Sequence, residues 1–132
     1  MLRIHVDPDA PASPSRQIVE QMLAAIAAGV LAAGDRLPSV RTLAVDALIH
    51  PNTVAKAYRE LELLGAVEGR NGSGVFVQAG GPKVARERVR GATRAAFGRA
   101  AREALAAGHD VDALRKEFEA AVRAAERERQ TT

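Results

Sequence analysis

The 132-residue sequence has no cysteine and no tryptophan, and only three Phe and one Tyr. The lack of cysteine excludes disulfides and thiolate metal sites and suits a reducing compartment. With so few aromatics, a core drawn from the 47% hydrophobic residues has to be aliphatic and alanine-rich. No apolar run approaches the roughly 18 residues of a spanning helix. The opening MLRIHVDPDAP also lacks the continuous apolar stretch of a secretory leader. These absences predict a soluble, cytoplasmic protein with no membrane partner. The three histidines, His5, His50 and His109, lie far apart without metal-ligand spacing. No nucleophile–base constellation or phosphate loop is present, and the glycines of Gly72-x-Gly74 lack the strand-to-helix setting of a nucleotide site. No catalytic residue, metal or cofactor is expected, and the enzyme class is set aside.

Strong charge of one sign is also missing, since 19 basic residues face 16 acidic ones for a net +3. The distribution says more than the sum. Through Gly80 there are seven Lys/Arg against eight Asp/Glu, and from Gly81 onward twelve against eight. Any polyanion-binding surface in the N-terminal part must therefore be a local patch.

The hydrophobic pattern is mainly helical. Met1 to Val6 reads as a short strand or an ordered arm, and the proline-rich stretch Asp7 to Pro14 as an irregular lead-in. A helix follows from about Ser15, with Ile18, Met22, Ala25 and Ile26 on one face and Gly29 as its stop. Val30 to Leu37 reads as a turn. A second helix covers Ser39 to Ala47, with Ser39 as cap and Val40, Leu43 and Ala44 inward. A third runs from Pro51, well placed in a first turn, to Leu64. Its buried stripe is Val54, Ala57, Tyr58, Leu61 and Leu64. Ala66–Arg70 and Gly74–Val77 read as two strands around the hairpin tip Asn71-Gly72-Ser73. Gly80-Gly81-Pro82 breaks the chain, so the division expected is a winged helix-turn-helix domain over residues 1–79 and a helical tail over 82–129. The tail reads as two helices, Lys83 to Ala106 and a second one capped by Asp110, with a fraying polar end ERERQTT.

A short gap between the second and third helices is what a helix-turn-helix requires, and the second of the pair presents its N-terminal residues to the major groove. The positions opposite the buried stripe are Pro51, Asn52, Ala55, Lys56 and Arg59. Asn pairs with adenine, and Lys and Arg reach guanine or phosphate. Thr53 either caps the helix or bonds a phosphate. The hairpin forms the wing, with Arg70, Asn71 and Gly72 meeting backbone or minor groove. In the tail, Phe97, Leu114, Phe118 and Val122 make a narrow apolar stripe with no partner in the chain, which predicts dimerisation. The basic run from Lys83 to Arg102 is either a solvated helix face or a set of additional phosphate contacts.

From Pro14 to Val77 the sequence resembles the GntR family of bacterial regulators, and most closely its YtrA-like branch. The matching elements are Pro14-x-x-Gln17-Ile18, Ala28-Gly29-x-Leu31, the run Gly34 to Ala44 (GDRLPSVRTLA), the run Asn52 to Glu62 (NTVAKAYRELE), and Gly72-x-Gly74-Val75-Phe76-Val77. The resemblance implies a DNA-binding transcription regulator, and places Arg41 where relatives contact DNA. Pro51 and Ala55 stand where many relatives carry arginine, so base reading falls to Asn52, Thr53 and Lys56. The short tail is similar to the dimerisation part of the YtrA-like branch. The expected function is a homodimeric regulator, acting as a repressor on a double-stranded, inverted-repeat operator. Two other readings stay open: a sensor gated by a small-molecule effector, and a protein-interaction module that has lost DNA binding.

Overall fold

The computed structural model describes residues 2–131. Its elements follow in the order α1 (Pro14–Ala27), α2 (Val40–Ala47), α3 (Pro51–Leu63), β1 (Val67–Arg70), β2 (Gly74–Val77), α4 (Gly81–Ala106) and α5 (Val111–Gln130). The fold is mainly helical with one two-stranded hairpin, as the periodicity predicted. The described residues pack as two units, divided between Gly91 and Ala92.

In the first unit, α1 and α2 both pack on α3. Ile18, Met22 and Ile26 of α1 interleave with Val54, Ala57 and Leu61 of α3, and all six are essentially inaccessible to water. Leu43 and Ala44 of α2, together with Val67 and Val77 of the hairpin, close the core. Each of α1, α2 and α3 starts where a side chain replaces a missing backbone partner. Ser13 Oγ accepts from the Arg16 amide, and Ser39 Oγ from the Thr42 amide. At α3 the cap is His50, whose Nδ1 accepts the Asn52 N–H at 3.0 Å.

Residues 2–6 form an ordered arm, not a strand. The backbone of the arm is satisfied by side chains of α1. The Gln21 amide pairs with both the N–H and the C=O of His5, and the buried Gln17 amide does the same for Asp7. Gln17 also donates to the Ala12 carbonyl, closing the proline-rich loop. Val6 is thereby held in the core, with Leu2 and Ile4 beside it.

β1 and β2 are antiparallel, with Val67 opposite Val77 and Arg70 opposite Gly74. The segment read as a turn before α2 is more than that. Leu37 N–H donates to Val75 O, Gly34 N–H to Val77 O, and Val77 N–H to Asp35 O, so Gly34–Leu37 lines the outer edge of β2. A single bridge, Arg36 to Phe76, marks the pairing. This contact covers an edge that would otherwise be open.

The glycine pair after the wing does not free the chain. α4 begins at Gly81, which is buried, and a Cβ there would run into the Ala66 carbonyl oxygen and lie 2.9 Å from Val77 Cγ1. Only glycine lets α4 come this close to the hairpin. Ala85 follows with no exposed surface, and Val84 and Val89 pack against the same core. The first turns of α4 are therefore part of the winged unit.

In the second unit, α4 ends at Ala106 and the chain reverses through Gly108, whose φ is +94°. Asp110 caps α5 by accepting the Ala113 N–H at 3.3 Å. The rings of Phe97 and Phe118 meet edge to face, 5.6 Å between centroids. The polar end predicted to fray is helical through Gln130. Arg127 and Arg129 lie in its last turn, where cations oppose the helix dipole. Thr131 closes the helix, with its N–H and its hydroxyl both donating to the Glu128 carbonyl.

Candidate nucleic-acid interface

The helix-turn-helix is α2, the turn Leu48–His50, and α3. Its geometry is fixed from behind by Tyr58. This side chain is buried in the α3 stripe, and its hydroxyl donates to the Pro38 carbonyl at 2.7 Å. Burial pushes the phenol well above its usual range, so the hydroxyl stays a donor at any physiological pH. The bond ties the recognition helix to the start of α2.

On the solvent side, Asn52, Lys56 and Arg59 are exposed and follow at i, i+4 and i+7 along one face of α3, with Thr53 half-buried beside them. Arg41 is exposed on α2, and a shallow groove joins it to the start of α3 through Val45, Leu48, His50 and Pro51. Arg41, Lys56 and Arg59 make no ion pair among the described residues. The acidic residues of α3 are engaged elsewhere: Glu60 pairs with Arg16 at 2.9 Å, and Glu62 accepts the Gly69 N–H at 3.2 Å. This arrangement resolves the near-neutral charge of the N-terminal part. Glu60 and Glu62 are thus engaged with α1 and the hairpin, and the free cations share the exposed face with the N-terminus of α3, itself a positive dipole end.

The wing tip, residues 71–73, is exposed, and Gly72 takes φ +73°. Arg70 at its base lies over the Phe76 ring, 4.3 Å from the centroid, and pairs with Glu68 at 3.2 Å. It is thus an oriented cation and less free than Arg41. Two supporting residues escaped the sequence reading. Arg36 lies against Gly74, where a Cβ would come within 2.8 Å of its Nε, so the wing is braced by the segment preceding α2. The other is His50, whose Nδ1 acts as the acceptor that caps α3. The four residues expected to dimerise lie in the second unit. Phe97 and Phe118 touch, Phe118 and Val122 are exposed, and Leu114 is half-buried. Among the described residues there is no cluster of His, Cys, Asp or Glu able to hold a metal, and no helix long and apolar enough to cross a membrane.

Three helices, a braced hairpin and an exposed cationic face on the second helix-turn-helix element define a winged helix-turn-helix protein of the DNA-binding class. Residues 14–77 match the sequence pattern of the bacterial regulatory proteins of the gntR family. The chain is 42% identical over 74 residues to the HTH-type transcriptional repressor YtrA of Bacillus subtilis, a match covering 56% of this chain and 57% of that protein. Its fold superposes on that of YtrA from Sulfolobus acidocaldarius, a GntR-family transcription factor, with TM-score 0.56 and 30% identity over 72% of this chain and 97% of the other. A transcriptional regulator from Oenococcus oeni is similar at TM-score 0.68 and 28% identity, covering 88% and 99% of the two chains. The chain belongs to the GntR family, on its YtrA-like side, and that family is one of regulatory proteins, not of enzymes. It spans about half the length of three curated relatives it matches, from 50% to 57%, and 15% of a fourth.

Proposed function

We propose that the chain is a homodimeric transcription regulator that binds an inverted-repeat operator in the cytoplasm and represses from it. The observation that carries this reading is the face formed by Arg41, Asn52, Lys56 and Arg59. Three unpaired cations and an amide, displayed on the two helices of a helix-turn-helix, have no internal work to do. Arg41 and Lys56 supply phosphate or guanine contacts, Asn52 reads adenine, and Thr53 stands at the helix start where a hydroxyl meets a phosphate. Arg70, Asn71 and Gly72 bring the wing to the adjoining backbone. The homodimer is supported by the second unit, where Phe97, Val111, Phe118 and Val122 remain exposed on two helices and no residue of α5 is fully buried. Repression is supported by the Bacillus subtilis relative, which is named a repressor. In such a dimer the two recognition helices enter major grooves about 10 bp apart.

The test is selection of bound duplexes from a random library, followed by affinity against salt. A palindrome is expected, with log affinity falling by about 0.9 per phosphate contact for each decade of salt. Weak binding indifferent to sequence rejects the proposal. With the operator in hand, Arg41→Ala is expected to weaken binding by about 1–3 kcal/mol per half-site. Fluorescence anisotropy reads this directly, and an unchanged affinity removes Arg41 from the interface.

A further inference from the structure

The turn between α2 and α3 contains a residue that the stability of the domain does not explain. Leu48 ends α2 with φ 57° and ψ 47°, the single non-glycine residue at positive φ among those described. Glycine or asparagine is the ordinary occupant of this left-handed position, because a Cβ there crowds the following carbonyl. A leucine at such a site is normally repaid by burial, but the Leu48 side chain is 92% exposed. It is both conformationally strained and apolar in water. Val45, one turn earlier, is 68% exposed. Arg41 and Val45 stand one turn apart on α2, Leu48 follows at its C-cap, and all three line one groove that is walled on its far side by His50 and Pro51 at the start of α3. Strain retained without a packing return points to a binding role.

We propose that Leu48, with Val45, is a specificity-determining contact that reads thymine methyl groups in the major groove; this rests on the DNA-binding reading above and deepens it. The groove fits that chemistry in sequence. Its centre is apolar, one end carries the free Arg41 guanidinium, and the other is the N-terminus of the helix that presents Asn52. A thymine–adenine pair offers the complementary set: a C5 methyl, an adenine edge that Asn can bond, and a phosphate one step away. The apolar pair takes over discrimination at a place where Pro51 and Ala55 supply no polar group.

The test uses the full-length protein and the selected operator, with each thymine replaced in turn by deoxyuridine, which removes only the methyl. Wild type is expected to lose on the order of three- to fivefold in affinity at one thymine per half-site, the worth of one buried methyl. Leu48→Gly and Leu48→Asn are expected to bind the thymine and deoxyuridine operators equally, with a thermal midpoint no lower than that of wild type because both residues accept the left-handed backbone. No loss at any thymine, or a loss that persists in both variants, overturns the proposal while leaving operator binding intact. If instead the variants change the oligomeric state in sedimentation and keep the thymine preference, the patch is a contact between copies of the chain and the proposal falls. If selection returns no operator, the functional reading fails, and this inference fails with it.

Discussion

Truncating the chain after Gly91 is expected to leave a folded monomer whose operator affinity is lower by on the order of 10²- to 10⁴-fold. The cut belongs there, and not after Gly81, because Ala85 is fully buried and Val84 and Val89 pack on the core of the winged unit. Removing them would confuse loss of dimerisation with loss of folding. What the cut removes is the unit carrying Phe97, Val111, Phe118 and Val122. In a dimer, the second half-site is bound intramolecularly, so its contribution appears as an effective concentration and not as a new contact. Sedimentation and operator titration check the two halves of the claim. A truncated protein that stays dimeric, or one that binds as tightly as the full chain, overturns the assignment of this unit to dimerisation.

Leu61→Ala is expected to lower stability by about 2–5 kcal/mol. Leu61 has no accessible surface and sits where α1 and α2 converge on α3, beside Val54, Ala57 and Tyr58. Rigid helices on both sides limit how far the void can collapse, which puts the loss in the range of unrelaxed core cavities. For a domain of this size the thermal midpoint drops by on the order of 10–30 °C. Arg59→Ala, two residues earlier on the exposed face of the same helix, is the control and is expected to leave the midpoint within a degree or two while weakening DNA binding. A midpoint that does not move in Leu61→Ala shows that the stripe of α3 is not the core of the domain.

Much of the fold could be read in the sequence because local signals agree with the tertiary result. Ser39 followed by an apolar periodicity, Pro51 at the first turn of α3, and Asn71-Gly72 between the short runs Ala66–Arg70 and Gly74–Val77 each fix their own element. The cationic face was legible for the same reason: once the stripe Val54, Ala57, Tyr58, Leu61 is recognised, helical geometry puts Asn52, Lys56 and Arg59 opposite. What escaped depends on contacts distant in sequence. The pairing of Gly34–Leu37 with β2 crosses some forty residues, and turn-forming glycine and aspartate concealed it. Gly81 looked like a break because glycine signals flexibility and close approach alike, and only the Ala66 carbonyl decides between them. The end of α5 looked frayed because it is polar, although its arginines suit a helix C-terminus. Leu48 was passed over for the opposite reason. A leucine after a helix reads as core, and only the backbone angles and the exposure mark it as out of place.

The N-terminal arm carries a consequence for the timescales of motion in the domain. Its residues have no regular secondary structure, yet the amides of His5 and Asp7 are donated to glutamine side chains on a helix whose other face is the centre of the core. The bond that holds the Asp7 amide is one of three made by the buried Gln17 side chain, to Asp7 N–H, Asp7 O and Ala12 O. Exchange at the Asp7 amide is therefore expected to require release of the arm from α1 as a unit, and not the fluctuation of one bond. In deuterium-exchange measurements the Asp7 amide should be protected alongside the helical interior, while the wing-tip amides at Asn71 and Gly72, which are exposed, equilibrate at once. An irregular segment near the chain terminus thus becomes a reporter of how firmly the arm is held on α1.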